Sequence, residues 1–234
     1  MTTPILQLKT VSLQDALAVA YAAYRINGET YRKDTNRFST PGNKTQFDNK
    51  SLVRYYYESK QGHYVPTDFE MFEPTELDYA SVEEARKWMK RYVMLGLGEI
   101  DGFKADMIRE MSQDQVPVKG TGRIAFAPEF IKRDRHETSL TKTIRIEYRD
   151  SRHIEPVGEK VEGVVEFLDK RYSTQWESYN YTCVLGGNLV SFMNKYDHAV
   201  GSRMRLKAKV KSHTKNKLFS ADETRLHYVK LYKV

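Results

Sequence analysis

Between Arg203 and Lys211 the chain alternates without error: Met204, Leu206, Ala208 and Val210 stand between Arg203, Arg205, Lys207, Lys209 and Lys211. Successive side chains of a strand point to opposite faces, so this segment has one core face and one cationic face, and a helix does not suit the pattern. A half-buried strand needs partners. Val161 to Asp169, Tyr179 to Leu185, Leu189 to Met193 and Thr224 to Lys233 supply them, each rich in branched or aromatic residues. Gly163 sits centrally in the first of these, where a strand that coils sharply needs the smallest residue. Five short strands in about 75 residues suggest a small closed barrel, which leaves no exposed edge.

Upstream the period is helical. Ser12 and Asp15 have capping-box spacing ahead of Leu13, Ala16, Leu17, Ala20, Tyr21 and Tyr24, and Gly28 ends the run. Glu29 to Asn49 reads as a long exposed loop, Ser51 to Gln61 as a second helix with Leu52, Tyr55 and Tyr56 inward. Ser81 and Glu84 form another capping box, opening a helix through Ala85, Trp88, Met89, Tyr92 and Val93 that Gly96 and Gly98 end. Phe103 to Met111 is a further helical segment, and Ile124 to Arg135 another, interrupted by Pro128. Ile144, Ile146 and Tyr148 then alternate with Arg145, Glu147 and Arg149, which predicts a change to strand, and Asp150 to Lys160 is a polar connector. The expected organisation is α+β and multidomain: a mainly helical N-terminal domain over residues 1–150, then a five-stranded barrel over 151–234.

Charge separates the same two regions. Residues 1–150 carry 23 Lys and Arg against 22 Asp and Glu, whereas residues 151–234 carry 15 against 9. A local cationic excess concentrates polyanions and releases their counterions, which points to nucleic acid as a partner, with a merely solvated basic surface as the equal alternative. The common fold for a five-stranded barrel of this size is the oligonucleotide-binding (OB) fold, which binds between two loops. The connection between the first two strands, Lys170 to Trp176, holds Lys170, Arg171, Tyr172 and Trp176; that between the last two holds His213, Lys215, Lys217 and Phe219. Cations beside rings suit single strands, whose phosphates need charge and whose bare bases stack. Candidate contacts are therefore Lys170, Arg171, Tyr172, Trp176, Tyr179, Lys215, Lys217 and Phe219, with Arg203, Arg205, Lys207 and Lys209 as a phosphate track or simply a solvent face. Tyr179 and Tyr181 share a face that Cys183 and Leu185 continue, which leaves them as either stacking or core residues.

From Ser151 onward, SRHIEPVGEKVEGVVEFLDKRYSTQWESYNYTCVLGGNLVSFM and VGSRMRLKAKVKSH resemble the C-terminal domain of a group of bacteriophage single-stranded-DNA-binding-like proteins. Their shared pattern is Ser-x-His-hydrophobic, Val-Gly-Glu-Lys-Val and Thr-Gln-Trp/Tyr-Gly, then a strand ending in Lys-x-His. The resemblance implies a helical N-terminal region, a C-terminal OB fold, and single-strand binding in phage DNA replication or recombination within the host-cell cytoplasm. Glu177 departs from the glycine usual there, and the basic Lys230 to Val234 stands where many replicative single-strand binders carry an acidic recruiting tail. DNA over RNA follows from the resemblance alone, since no residue reads a 2′-hydroxyl.

Signals for chemistry are poor. His63, His136, His153, His198, His213 and His227 lack metal-ligand spacing, and the lone Cys183 excludes a multi-cysteine zinc site and an intramolecular disulfide. Gly96 to Gly102 lacks the Gly-Lys-Ser/Thr of a phosphate loop. No cofactor is expected. Asp101, Asp106 and Glu110 are the alternative, a magnesium-dependent nuclease centre, set against ordinary solvent carboxylates on a helix. No apolar run reaches the roughly 20 residues of a membrane span, and residues 1–30 lack the order of a secretory signal. The sequence thus reads as a non-enzymatic binder of single strands, its helical domain left to dock a replication partner or a second copy; the other alternative is a protein-interaction module, in which the helical domain docks a polymerase, a helicase or itself and the barrel binds protein.

Overall fold

Ser12 caps the first helix as its spacing predicts, accepting from the Asp15 amide at 3.0 Å. The computed structural model describes residues 10–36, 44–94, 102–216 and 221–234. The fold is α+β, and the chain divides into two compact units, residues 1–134 and 135–234, each with its own core.

In the first unit, β1 (Thr10–Ser12) pairs antiparallel with β2 (Gln115–Pro117). α1 (Leu13–Ile26) is the central helix. Its small residues Ala16, Ala18, Ala20, Ala22 and Ala23 are all fully buried, so neighbours approach it on nearly every side. α2 (Asn49–Lys60) is capped by Asp48, whose carboxylate accepts from the Ser51 amide at 2.9 Å, and it buries Leu52, Val53, Tyr56 and Tyr57. Tyr55 is half-buried.

α3 (Glu76–Met94) starts earlier than the Ser81 and Glu84 box implies. The operative box is Thr75 with Asp78: Asp78 accepts from the Thr75 amide at 2.8 Å, and Thr75 Oγ1 from the Asp78 amide at 3.4 Å. Ser81 lies inside the helix, its hydroxyl donating to the Leu77 carbonyl at 2.9 Å. Gly96 and Gly98, expected to end this helix, lie outside the described residues. α4 (Gly102–Glu110) and α5 (Thr121–Ile124) follow.

α6 (Ala127–Glu147) corrects two expectations, and the division between the units falls within it. Pro128 stands in its first turn, where a missing N–H removes no helical bond, so it begins the helix rather than interrupting it. The stretch expected as strand, Ile144 to Tyr148, is helical as far as Glu147. Leu140, Ile144 and Tyr148 recur at four and pack together, while Ile146 is exposed, so the longer helical period overrides the short alternation.

The second unit is a closed barrel of β3 (Lys160–Ser173), β4 (Ser178–Leu185), β5 (Asn188–Asn194), β6 (Arg203–Lys215) and β7 (Asp222–Lys233), in the order β3-β4-β5-β7-β6. Every pairing is antiparallel except β5 with β7. β3 is shared, its first half pairing with β6 and its second with β4. A Cβ on Gly163 would stand 2.6 Å from Leu185 Cδ1, so glycine lets β3 pass this side chain as it coils. Val165, Phe167, Tyr181, Cys183, Leu206 and Val210 fill the interior. Outside it, Leu140 and Ile144 of α6 cover Leu189 and Ala221, with Leu168 and Val184 beside them. The Ser151 hydroxyl donates to the Asp222 carbonyl at 2.7 Å and accepts from the Leu189 amide at 2.8 Å, and Thr224 Oγ1 accepts from the Ile154 amide at 3.0 Å. Among the described residues no helix is long and apolar enough to cross a membrane.

Candidate nucleic-acid interface

The hairpin of β3 and β4 is longer than its sequence suggests. Tyr172 faces Tyr179 and Ser173 faces Ser178, so the connection is only residues 174–177, and Lys170, Arg171 and Tyr172 belong to β3 rather than to a loop. Glu177 closes the turn at φ 44°, in the left-handed region that favours glycine. Tyr172 is 56% exposed and Trp176 64%. Neither ring enters the interior.

Tyr172 and Tyr179 pack at 5.0 Å between centroids, Tyr179 half-buried against the barrel core. Tyr181 is 1% exposed, its hydroxyl donating to the Tyr196 carbonyl at 2.9 Å and accepting from the His198 amide at 2.8 Å. The β4 face shared by the tyrosines is thus core at Tyr181 and half-open at Tyr179. Lys170 Nζ lies 2.5 Å from Asp197 Oδ1, so its charge is matched. Burial pushes the Cys183 thiol well above its ordinary range, which leaves it an inert interior group.

Along β6 the cations share one exposed face, as the alternation predicts. Two of them are engaged by β3: Arg203 Nη2 lies 2.6 Å from Glu166 and Lys207 Nζ 3.2 Å from Glu162. Arg205 stands between Val164 and Tyr232, and Lys209 between Lys160 and His227, with no acidic partner among the described residues. Lys215 is exposed near the end of the strand. Lys217 and Phe219 lie outside the described residues.

A second cationic surface lies on the outer face of β4 and β5, walled by β7. It is a groove of about 480 Å³, with Asn180, Thr182, Ser191 and Met193 on its floor and Arg171, Lys211 and Arg225 around it. Its two buried carboxylates are committed internally. Asp169 accepts from His136 Nε2 at 2.9 Å and from Arg171 Nε at 3.2 Å; since a carboxylate only accepts, His136 carries its proton on Nε2. Glu223 accepts from Ser191 Oγ and Asn216 Nδ2, each at 2.5 Å. Lys211 and Arg225 have no acidic partner among the described residues, and His227 and Tyr228 add rings at the rim.

Of the sequence candidates among the described residues, only Arg171 lines this groove. Lys211, Arg225 and Tyr228 are not among those candidates, although one sequence signal marks the last. Thr224 and Leu226 share a face that would include Tyr228, yet the apolar residues continue as Val229 and Leu231, a slip of one position. Of the nuclease candidates, Asp106 is exposed and bonded to Arg109 at 3.2 Å, Glu110 stands one turn further along α4 and 3.9 Å from Arg123, and Asp101 is outside the described residues. Among the described residues no group of three His, Cys, Asp or Glu side chains is placed to hold a metal ion. No family model, curated protein or solved structure matches the chain.

Proposed function

We propose that the barrel is an OB fold and that the protein binds single-stranded DNA, without chemistry and without marked sequence preference, in the replication or recombination of bacteriophage DNA. The helical region preceding it is read as a separate domain that docks a partner or a second copy. The strand order and the groove support the first reading, since the OB fold is a five-stranded Greek-key barrel that binds over its second and third strands, here β4 and β5. The observation that carries it is the outer face of those strands: Lys211 and Arg225 are uncommitted to any described acid and border the groove, and Tyr172 and Trp176 are exposed on the adjoining hairpin. Phosphates would lie against the cations and unpaired bases against the rings; a duplex hides the faces that stack.

Anisotropy titrations of a labelled single strand, a duplex and an RNA of equal length, at two salt concentrations, test this reading. Tight single-strand binding that weakens as salt rises is the expected result. The double substitution Tyr172→Ala with Trp176→Ala should lower affinity at least ~10-fold, because each stacked base contributes roughly 1 to 3 kcal/mol. An intact protein that binds no single strand, or binds with no salt dependence, overturns the reading.

A further inference from the structure

Tyr228 occupies a backbone conformation that an aromatic residue rarely adopts. Its φ is 53°. Across the ladder Lys209 faces His227 and Lys207 faces Lys230, so Tyr228 and Val229 together stand opposite Ala208 alone. This is a β-bulge. Upstream of it Thr224 and Leu226 point into the barrel; by strict alternation Tyr228 would come next. Instead Val229 and Leu231 pack against the core, and the Tyr228 ring is 76% exposed.

Core packing does not account for a ring that the bulge removes from the core, and glycine would occupy the left-handed position with less strain. The displaced ring lies at the rim of the groove that Lys211 and Arg225 border, with the His227 ring 4.4 Å from it. We infer that the bulge turns Tyr228 out as a stacking platform for one unpaired base, with Lys211 and Arg225 holding the phosphates beside that base. The inference rests on the single-strand reading above and adds to it a position on the fifth barrel strand. A nucleobase is the occupant whose chemistry fits: a flat apolar face for the ring, next to an anionic backbone for the two cations.

The test uses the full-length chain and a short oligothymidylate, with a second strand carrying 5-iodouracil for photocrosslinking. Tyr228→Ala and Tyr228→Gly should each weaken binding about 10-fold, Tyr228→Phe should bind as the parent does, and the crosslink should map to Tyr228 or His227. Tyr228→Gly should also unfold no earlier than the parent in urea, because glycine relieves the left-handed conformation; a residue retained for packing would show the opposite. Parental affinity in folded Tyr228→Ala and Tyr228→Gly, with crosslinks elsewhere, overturns this inference and leaves strand binding standing. Failure of the parent chain itself to bind the oligothymidylate overturns both.

Discussion

The two units spend their charge differently. In the first, buried acids are surrounded by donors: Asp134 accepts from Trp88 Nε1 at 2.7 Å, Tyr92 Oη at 2.5 Å, Lys104 Nζ at 2.6 Å and Arg91 Nη2 at 3.2 Å. Asp78 takes Arg25 and the Thr75 amide in the same way, and Asp48 caps α2. Burial alone would raise these three carboxyl pKa values, but the bonds outweigh it and hold each below the usual range. In the barrel unit, Glu162, Glu166 and Asp197 neutralise Lys207, Arg203 and Lys170, whereas Lys211 and Arg225 keep their charge open toward the groove. A count of lysines and arginines therefore says little about a polyanion site. What matters is which cations the fold has not already satisfied.

The largest effect that would break this contrast is on stability. Asp134→Ala leaves Lys104 and Arg91 without their shared acceptor and should destabilise the first unit by about 3 kcal/mol in urea unfolding. A parental midpoint would mean that the inward charges do not hold this unit. The same contrast has a pH signature. The three depressed aspartates contribute stability that is complete above the unfolded-state value of about 3.9 and is lost as pH falls through their lower folded values, so acid titration should melt these contacts.

Next in size is binding. Lys211→Ala with Arg225→Ala should cost about 10-fold in single-strand affinity and make the log–log salt slope shallower by about 1.4, at ~0.7 per cation. Arg203→Ala with Lys207→Ala, which removes cations already paired, should leave the slope unchanged; equal effects of the two pairs would erase the distinction. The smallest effect is at the hairpin turn. Glu177→Gly relieves a left-handed backbone, partly offset by the greater freedom of glycine when unfolded, and should stabilise the barrel by about 0.5 kcal/mol in the same urea assay.

Much of the architecture was legible because the strands repeat with a period of two and each carries its own core face, as the alternation in β6 did. The errors arose where two local signals competed. Thr75 and Asp78 outbid Ser81 and Glu84 for the start of α3, and the helical spacing of Leu140, Ile144 and Tyr148 prevailed over an equally visible alternation. The site was harder to read. Strand pairing, which composition does not report, decides that Arg203 meets Glu166 while Arg225 borders a groove, and a bulge decides that Tyr228 faces water. Trp176 is exposed, beside the polar Thr174, Gln175 and Glu177 that the sequence already shows.

The parallel join of β5 to β7 spans only Leu189 to Ser191 against Glu223 to Arg225, the shortest ladder in the barrel. Ser151 clasps it from outside, bridging Leu189 and Asp222 through one hydroxyl, and Ile154 fastens to Thr224 one rung further along. The ring of strands is therefore shut by a buckle that precedes its first strand. A fragment trimmed to begin at Lys160 would keep every strand yet lose the fastening that holds its shortest seam.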